Sequence, residues 1–438
     1  MKEKKLGKKS VIIRLGGYLF RFRALLFLAF IMSLSGNLLA LVGPKLSGLA
    51  IDAIEPGAGK VDFSRVYYYA ALMAAFFLLS SILAYLLSIL MIHISQKIIY
   101  KMREDVFESL TRLPVSYFDT HQTGEILSKI SYDIDTVNTS LSTDIIQILT
   151  SVITVIGSFA MMLTISPVLI LVFVFTVPMS FFITKFLTGK TRPLFRARSA
   201  SIGRLNGYVE EMIAGHKTIK AYHQEGTVIQ KFDDKNNEVV SSFYKADYFG
   251  TMTGPSVNFI NNLSLSLITV FGAILFINRA ISLGNISSFV LYSRKFSGPI
   301  NEAANIMNEF QSAIAAAERV FRLIDEPKEA ADMYGAKKLT TVYGDVNLVD
   351  VDFGYVPDKL ILSGLNLHAK PGSLTAIVGP TGAGKTTIIN LLMRFYDVND
   401  GSIYVDNLET RSVTRESLRK SYAMVLQDTW LFTGTVYE

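Results

Sequence analysis

The sequence contains no cysteine, which excludes disulfide bonds and every metal site built on thiolates. Histidine is also scarce, and the spacing of the five histidines matches no metal-ligand pattern. Charged residues make up only 18% of the 438 residues, whereas about a quarter is usual in soluble domains. Half of the residues are hydrophobic. This composition favours a membrane protein over a soluble one.

The net charge of +6 could indicate a nucleic-acid partner, but its distribution argues against one. Lysine and arginine cluster beside long uncharged segments, as they do in the loops that flank membrane helices. A basic stretch at Met1–Ser10 precedes the first uncharged run, which is too long for the apolar region of a signal peptide. A nucleic-acid-binding arm is the alternative interpretation of this stretch. We predict a lipid bilayer as partner, no nucleic acid, and a cytoplasmic N-terminus.

The uncharged runs predict six membrane spans. They lie at about 24–42, 66–95, 143–164, 167–187, 250–278 and 284–310. Ser166-Pro167 divides one long run into a hairpin of two helices, and Pro178 is tolerated inside the second of them. The sixth span is less apolar and continues as an amphipathic helix to Phe321.

The segments between the spans are assigned from their charge. Gln96–Ser140 and Lys185–Lys245 are polar and rich in lysine and arginine, which predicts two cytoplasmic helical extensions. Pro44–Arg65 is predicted to be an outer loop. The cluster Asn258, Asn261 and Asn262 in the fifth span is compatible with hydrogen bonds between helices and, equally, with a polar substrate path.

A glycine-rich run marks a phosphate-binding loop. The run has the form G-x-x-x-x-G-K-T, and its residues are Gly379, Pro380, Thr381, Gly382, Ala383, Gly384, Lys385, Thr386 and Thr387. It follows an apolar segment, Leu374–Val378, which predicts a buried strand, and it precedes Ile388–Phe395, which predicts a helix. Strand, loop and helix in this order are the context that a P-loop requires.

The chemistry of the loop follows from its residue types. Glycines allow backbone N–H groups to surround phosphate oxygens, and the helix N-terminus adds donors and partial positive charge. Lys385 is expected to reach the β- and γ-phosphates of ATP, and the Thr386 hydroxyl to ligate Mg²⁺. The nine loop residues are therefore the predicted nucleotide-binding residues, with ATP and Mg²⁺ as cofactors.

A soluble domain follows the spans. The predicted domains are a transmembrane domain at 1–325, a linker at 326–340 and the first part of a nucleotide-binding domain at 341–438. Besides Leu374–Val378, the predicted strands are Val346–Phe353, Leu362–Leu367, Ser402–Val405 and Tyr422–Leu426, and Ser417–Lys420 belongs to a helix. The predicted fold class is an α-helical membrane domain of six helices followed by an incomplete α/β P-loop domain.

The whole chain resembles the half-transporters of the ATP-binding cassette (ABC) exporter family, of the type I fold. The matching segments in the membrane part are Pro114–Asp119 with Thr123–Glu125, Glu210–Met212 with Thr218–Ala221, and Ala315–Phe321. Those in the soluble part are Val351–Tyr355, the P-loop, Arg394–Asp397, Ser417–Arg419 and Val425–Phe432.

The resemblance implies roles for individual residues. Tyr355 would stack on adenine, for which any flat aromatic face is suitable. Gln427 would approach Mg²⁺ and the attacking water, so that Gln427 and Lys385 are the expected catalytic residues, and Gln427 joins Thr386 as a metal-binding residue. Segments near Pro114–Gly124 and Met212–Glu225 would carry helices that couple the nucleotide-binding domain to the membrane domain.

The resemblance also implies an activity, which is ATP-driven export of a hydrophobic or amphipathic drug, lipid or peptide across the bacterial cytoplasmic membrane. The partner would be a second half-transporter. The fifth and sixth spans resemble the heterodimeric multidrug-type branch, and a homodimer fits the visible residues equally well. The alternative is an ATP-binding regulatory or channel-type subunit without turnover. An importer is disfavoured because importers usually keep the two domains on separate chains.

The family's signature motif, Walker B carboxylate and switch histidine should lie beyond Glu438, the last residue. The 438 residues alone are therefore expected not to hydrolyse ATP, although the full-length protein is expected to be an ATPase-coupled transporter.

Overall fold

The fold is described from a computed structural model, which covers residues 7–54, 61–356, 359–425 and 433–435. It divides into two compact units. The membrane unit comprises residues 16–97 and 138–313, and the sheet unit comprises the described parts of residues 1–15, 98–137 and 314–438.

Helices dominate the chain. They are α1 (Lys8–Phe20), α2 (Arg23–Asp52), α3 (Phe63–Leu110), α4 (Val115–Thr120), α5 (Thr123–Ser128), α6 (Ile134–Thr139), α7 (Ile145–Ile165), α8 (Pro167–Ala214), α9 (His216–Ala221), α10 (Glu225–Thr251), α11 (Thr253–Ile277), α12 (Leu283–Ile324), α13 (Lys385–Leu392) and α14 (Arg415–Lys420). Two short π-helical turns, Lys129–Asp133 and Ser140–Asp144, connect α5, α6 and α7.

Five helical segments within the described residues are long and apolar enough to cross a membrane. They are Arg23–Asp52, Phe63–Leu110, Thr123–Ile165, Pro167–Ala214 and Glu225–Ile277. The sixth predicted span lies in α12, which is helical as expected but carries Arg294, Lys295 and Glu302. These charges separate α12 from the five apolar segments, so its crossing stays a prediction.

Two prolines have different positions in the helices: Pro167 lies at a helix boundary, whereas Pro44 lies inside a helix. Ser166 ends α7 and caps α8, because its Oγ accepts a hydrogen bond from the Leu169 N–H and Pro167 begins the new helix. The predicted hairpin break is confirmed. The predicted outer loop at Pro44–Arg65 is wrong at its start, because α2 continues through Pro44 to Asp52.

Helices α2 and α12 approach each other closely within the membrane unit. A Cβ added to Gly48 would lie 2.0 Å from the Ser288 Oγ, and one added to Gly284 would lie 2.0 Å from the Gly48 carbonyl oxygen. The Asp52 carboxylate accepts hydrogen bonds from the Ser282 hydroxyl and the Gly284 N–H. Small residues allow this approach, as they commonly do between membrane helices.

Strands β1 (Val346–Phe353), β2 (Leu362–Ala369), β3 (Asp400–Val405) and β4 (Leu408–Glu409) form an antiparallel sheet in the order β2-β1-β3-β4. Three predicted strands, at Val346–Phe353, Leu362–Leu367 and Ser402–Val405, are thus confirmed. Their inward side chains form a core with α13. The members of this core are Leu348, Val351, Phe353, Leu362, Ile388, Leu391 and Ile403.

The predicted strand Leu374–Val378 is wrong, because this segment pairs with no strand of the sheet and leaves Leu374 99% and Val378 88% exposed. A buried parallel strand requires hydrogen-bonded neighbours and covered faces, and the described residues supply neither. The predicted strand Tyr422–Leu426 is also irregular at 422–425, and Leu426 lies outside the described residues.

The sheet unit also contains parts of the first helical extension. The Arg319 guanidinium of α12 binds the Asp133 carboxylate through two hydrogen bonds of 2.8 and 2.6 Å. Asp133 is buried, whereas Arg319 remains partly exposed. The Ser109 hydroxyl of α3 donates to the Ile324 carbonyl oxygen at the end of α12. The end of α12 is therefore held from two sides by polar contacts.

We predict that Arg319→Leu loosens this region, because it leaves the buried Asp133 carboxylate without its cation. A loss of about 3 kcal/mol is expected for breaking such a pair, which corresponds to roughly a hundredfold faster amide exchange around 129–137 and 315–324. Hydrogen–deuterium exchange with mass spectrometry measures this protection. The matched control is Arg103→Leu, which breaks the exposed Arg103–Asp135 pair and should change local exchange less than fivefold. Equal effects of both variants would contradict the prediction.

Candidate nucleotide-binding site

The loop before α13 depends on glycine at a defined position. Gly384 caps α13 with a φ of +84°, a left-handed conformation that residues with a Cβ rarely adopt. A Cβ there would also lie 2.8 Å from Leu362 Cδ2 and 3.1 Å from Ile361 Cγ2. Gly382 has a φ of +85°. These conformations turn the chain into the N-terminus of α13, where N–H groups and the helix dipole favour an anion.

Lys385 holds the loop closed. Its Nζ donates hydrogen bonds of 2.8 Å to the Gly379 carbonyl oxygen and 2.9 Å to the Pro380 carbonyl oxygen. The Ala383 N–H also donates to the Pro380 carbonyl oxygen across the turn. The lysine therefore places its positive charge over the loop, where the phosphate groups of a nucleotide would lie.

The two threonines after the lysine have different surroundings. Thr386 is exposed, so that its hydroxyl is available to a metal ion, whereas Thr387 is buried. Threonine at the first of these positions is the usual Mg²⁺ ligand of a P-loop. The loop conformation, the lysine and the exposed hydroxyl fit a nucleotide with Mg²⁺.

Tyr355 lies beside the loop and is 43% exposed. Its hydroxyl accepts a hydrogen bond of 3.1 Å from the Asn390 Nδ2 and donates to the buried Thr387 Oγ1 at 3.4 Å. Both partners belong to α13. The tyrosine is thus attached to the helix that the phosphate loop begins, with part of its ring open for stacking on a base.

Tyr396 extends this arrangement away from the loop. Its ring packs edge-to-face on Tyr355 with centroids 5.0 Å apart, and its hydroxyl donates a 2.5 Å hydrogen bond to the Asp119 carboxylate. Burial and this hydrogen bond raise the pKa of Tyr396 above its ordinary value. The hydroxyl therefore stays protonated and remains a donor at physiological pH.

The described residues bring together most of the predicted site. Tyr355 and the nine loop residues lie within one unit, whereas Gln427 lies outside the described residues. The sequence analysis did not assign a role to Asn390, Tyr396 or Asp119. Tyr396 and Asp119 both occur in segments that carry the family resemblance, but 277 residues separate them, and only the fold places them in contact.

Comparison with known families agrees with this geometry. The family model described as "ABC transporter transmembrane region" matches residues 26–300, and the model described as "ABC transporter" matches residues 362–438. The chain belongs to the ABC transporter family. Its membrane domain precedes its nucleotide-binding domain on one polypeptide, which is the arrangement of an exporter half-transporter.

Similar proteins carry names of the same family. A fatty acid ABC transporter ATP-binding/permease protein of Mycobacterium bovis is 39% identical over 90% of this half-transporter and 61% of its own length. An uncharacterized ABC transporter ATP-binding protein of Bacillus subtilis is 38% identical over 98% of this chain and 71% of its own length. An ATP-dependent lipid A-core flippase of Francisella tularensis is 31% identical over 78% of this chain and 57% of its own length.

The ABC chain thus spans about 61% of the length of the fatty acid transporter that it matches. Its multi-pass membrane domain and its ATP-binding domain are both recognised by the family models. The heterodimeric branch, the role of Gln427 and the six-span topology stay predictions.

We predict that Gly384→Ala weakens ATP binding at least tenfold. The alanine must adopt a left-handed conformation, which costs about 1–2 kcal/mol, and it also displaces Leu362 or the loop. Gly372→Ala is the matched control, because Gly372 has a φ of +68° but no described atom within 4 Å of an added Cβ. Filter binding of radiolabelled ATP should show less than a twofold change for this control. An unaltered affinity in Gly384→Ala would contradict the inferred geometry.

Proposed function

We propose that this chain is one half of a dimeric transporter that uses ATP to export a hydrophobic or amphipathic molecule from the cell. The observation that carries the proposal is the attachment of Tyr355 to α13, because it joins a base-stacking face to a phosphate loop. Membership of the ABC family and five apolar helical segments support a transport role.

The loop residues have distinct roles in this proposal. The N–H groups around Gly382 and Gly384 surround the phosphates, and Lys385 neutralises part of their charge. Thr386 offers its hydroxyl to Mg²⁺, and Gln427 is the proposed second contact to the metal and to the attacking water. ATP with Mg²⁺ supplies the energy of hydrolysis, and Tyr355 selects the adenine base by stacking.

A second half-transporter is the proposed partner, either an identical chain or a different one. In this proposal, ATP binding favours one arrangement of the membrane helices and hydrolysis restores the other, which requires different affinities for the two states. The basic N-terminus favours a cytoplasmic location for both the N-terminus and the nucleotide-binding domain, in a bacterial cell membrane.

The relatives narrow the range of substrates. One is named as a fatty acid transporter and another as a lipid A-core flippase, so both names refer to lipids. Lipids are therefore favoured over drugs and peptides as the substrate class.

ATPase activity of the full-length protein in proteoliposomes, reconstituted alone and together with a candidate second half-transporter, tests the proposal. We expect Lys385→Ala to reduce ATP turnover at least a hundredfold, because the phosphates lose their cation. Lys370→Ala, which changes an exposed lysine of the same unit, should leave turnover unchanged. ATP-dependent ion conductance without turnover would instead support a channel or a regulatory subunit and would overturn the exporter.

Tyr396 is expected to transmit the state of the adenine site to the first helical extension. Tyr396→Phe keeps the ring packed on Tyr355 but removes the hydrogen bond to Asp119. ATP affinity should therefore change less than twofold, whereas the stimulation of ATP turnover by transported lipid should fall several-fold.

The control for this prediction is Tyr404→Phe, which removes a hydroxyl from β3 in the same unit. It should alter neither the ATP affinity nor the stimulation of turnover by lipid. Asp119→Ala, which removes the acceptor, should reproduce the loss, and the double variant should be no worse than either single one, because both act on one hydrogen bond. Additive losses would mean that Tyr396 and Asp119 act independently.

A further inference from the structure

Two adjacent cations interrupt the apolar part of α12. Arg294 and Lys295 are the only charged residues between Leu283 and Ile300, a stretch that otherwise suits a membrane span. Charged side chains within a bilayer are costly, and they usually mark a substrate or ion pathway. The pair therefore requires an explanation that packing alone does not supply.

Contacts between α2 and α12 give the depth of this pair. Ser288 donates to the Pro44 carbonyl oxygen, and one turn further along α12 the Tyr292 hydroxyl donates to the Leu41 carbonyl oxygen. The helices run antiparallel, so one further turn along α12, at residues 295 and 296, is level with Asn37. Asn37 lies at the middle of the 30-residue α2. The two cations are thus level with a residue inside the predicted first span, 24–42.

Other polar groups lie at the same level. The Thr154 hydroxyl of α7 donates to the Asn37 Oδ1, and the Asn37 amide donates to the Ser33 carbonyl oxygen. Directly beside this level, Phe296 packs on Phe159 and Phe173, with ring centroids 6.0 and 5.2 Å apart. A polar layer therefore adjoins an aromatic, apolar surface, which is the combination that an amphipathic molecule matches.

Neither cation forms an ion pair within the described part of the membrane unit. The nearest acid along α12, Glu302, lies about 10 Å further along the helix axis at 1.5 Å per residue and accepts a hydrogen bond from the Gln147 amide. Asp52, the last residue of α2, lies near the start of α12, where its carboxylate accepts hydrogen bonds from the Ser282 hydroxyl and the Gly284 N–H. Arg294 is exposed and Lys295 is half-buried, so both remain accessible to a ligand.

We propose that Arg294 and Lys295 bind the anionic head group of the transported molecule, a carboxylate or phosphate carried on a long apolar chain. Arginine holds such a group with paired N–H donors, and the lysine adds a second positive charge in surroundings where water does not screen it. The apolar chain packs on the aromatic surface around Phe296. This inference rests on the proposed transport function and specifies its substrate as an amphipathic anion.

Binding of radiolabelled oleate to the full-length protein in phosphatidylcholine nanodiscs tests the proposal, with empty nanodiscs subtracted. Oleyl alcohol and dodecyl phosphate are the competitors. We expect oleate to be displaced by dodecyl phosphate at least tenfold better than by oleyl alcohol at equal apolar partitioning. Arg294→Gln and Lys295→Gln should each weaken oleate binding about tenfold, and the double variant should bind oleate and the alcohol equally.

Arg294→Lys, which keeps the charge, should retain the preference for anions. The matched control is the double variant Lys185→Gln, Arg192→Gln, which removes one lysine and one arginine from exposed positions of α8 and should bind oleate as the unchanged protein does. ATP binding is measured on every sample, so that a misfolded variant is recognised. A preference confined to oleate or to dodecyl phosphate would assign the head group as carboxylate or phosphate and supports the proposal.

Equal binding of oleate, dodecyl phosphate and oleyl alcohol by the unchanged protein would overturn the inference. An anion preference that persists in the double glutamine variant would overturn it as well. A third contrary result is that the double glutamine variant dissociates the dimer but keeps the preference for anions. This result would mean that the cations pair with acids of the partner half. In each case ATP binding separates the outcomes, because its loss from the unchanged protein would contradict the proposed function itself.

Discussion

The bilayer offers no hydrogen-bond partner to a polar group, and the membrane unit is organised by this constraint. Backbone groups are satisfied by long helices. Hydroxyl groups such as those of Ser158 and Thr176 donate to carbonyl oxygens of their own helix, and those of Ser288 and Tyr292 donate to carbonyl oxygens of a neighbouring helix. Gly48 and Gly284 bring two backbones close enough for these bonds to form. In such surroundings a charge without an ion pair is exceptional. Neither Arg294 nor Lys295 has such a pair among the residues that the structure describes, so the two carry information that an exposed lysine of a soluble domain would not.

A different principle governs the sheet unit, in which hydrogen bonds connect segments that are far apart in sequence. Asn390 and Thr387 hold Tyr355, Tyr355 packs on Tyr396, and Tyr396 donates to Asp119. Together these contacts connect Tyr355, the proposed base-binding residue, through Tyr396 to Asp119 of the first helical extension. The Arg319–Asp133 pair holds the end of α12 to the same extension. Nucleotide binding can therefore act on the extension through a short path of packed side chains.

Much of this was predictable from the sequence, because the relevant signals are local. Uncharged runs predicted the five long apolar helical segments, and Ser166-Pro167 predicted the break between α7 and α8. The glycine–lysine loop predicted a helix after it, although α13 begins at Lys385 and not at Ile388. The alternation of Val346–Phe353 identified β1. The contacts of Tyr396 with Asp119 and of Arg319 with Asp133 were not predictable, because each joins residues more than 180 apart and depends on how the segments fold together. The role of Pro44 was misjudged for a related reason: a proline interrupts an isolated helix, but a neighbouring helix can compensate for it in a membrane.

The error at Leu374–Val378 has a physical meaning of its own. An apolar run specifies that a segment prefers burial, but hydrogen-bonded neighbours are needed before it becomes a strand. The antiparallel sheet of the described residues does not include this segment, and Leu374 and Val378 are exposed. The left-handed conformation at Gly384 is present nevertheless, in a loop held by the Lys385 hydrogen bonds to two carbonyl oxygens and beside a Tyr355 attached to α13. The phosphate loop is thus formed in a structure whose preceding segment, Leu374–Val378, is not a strand.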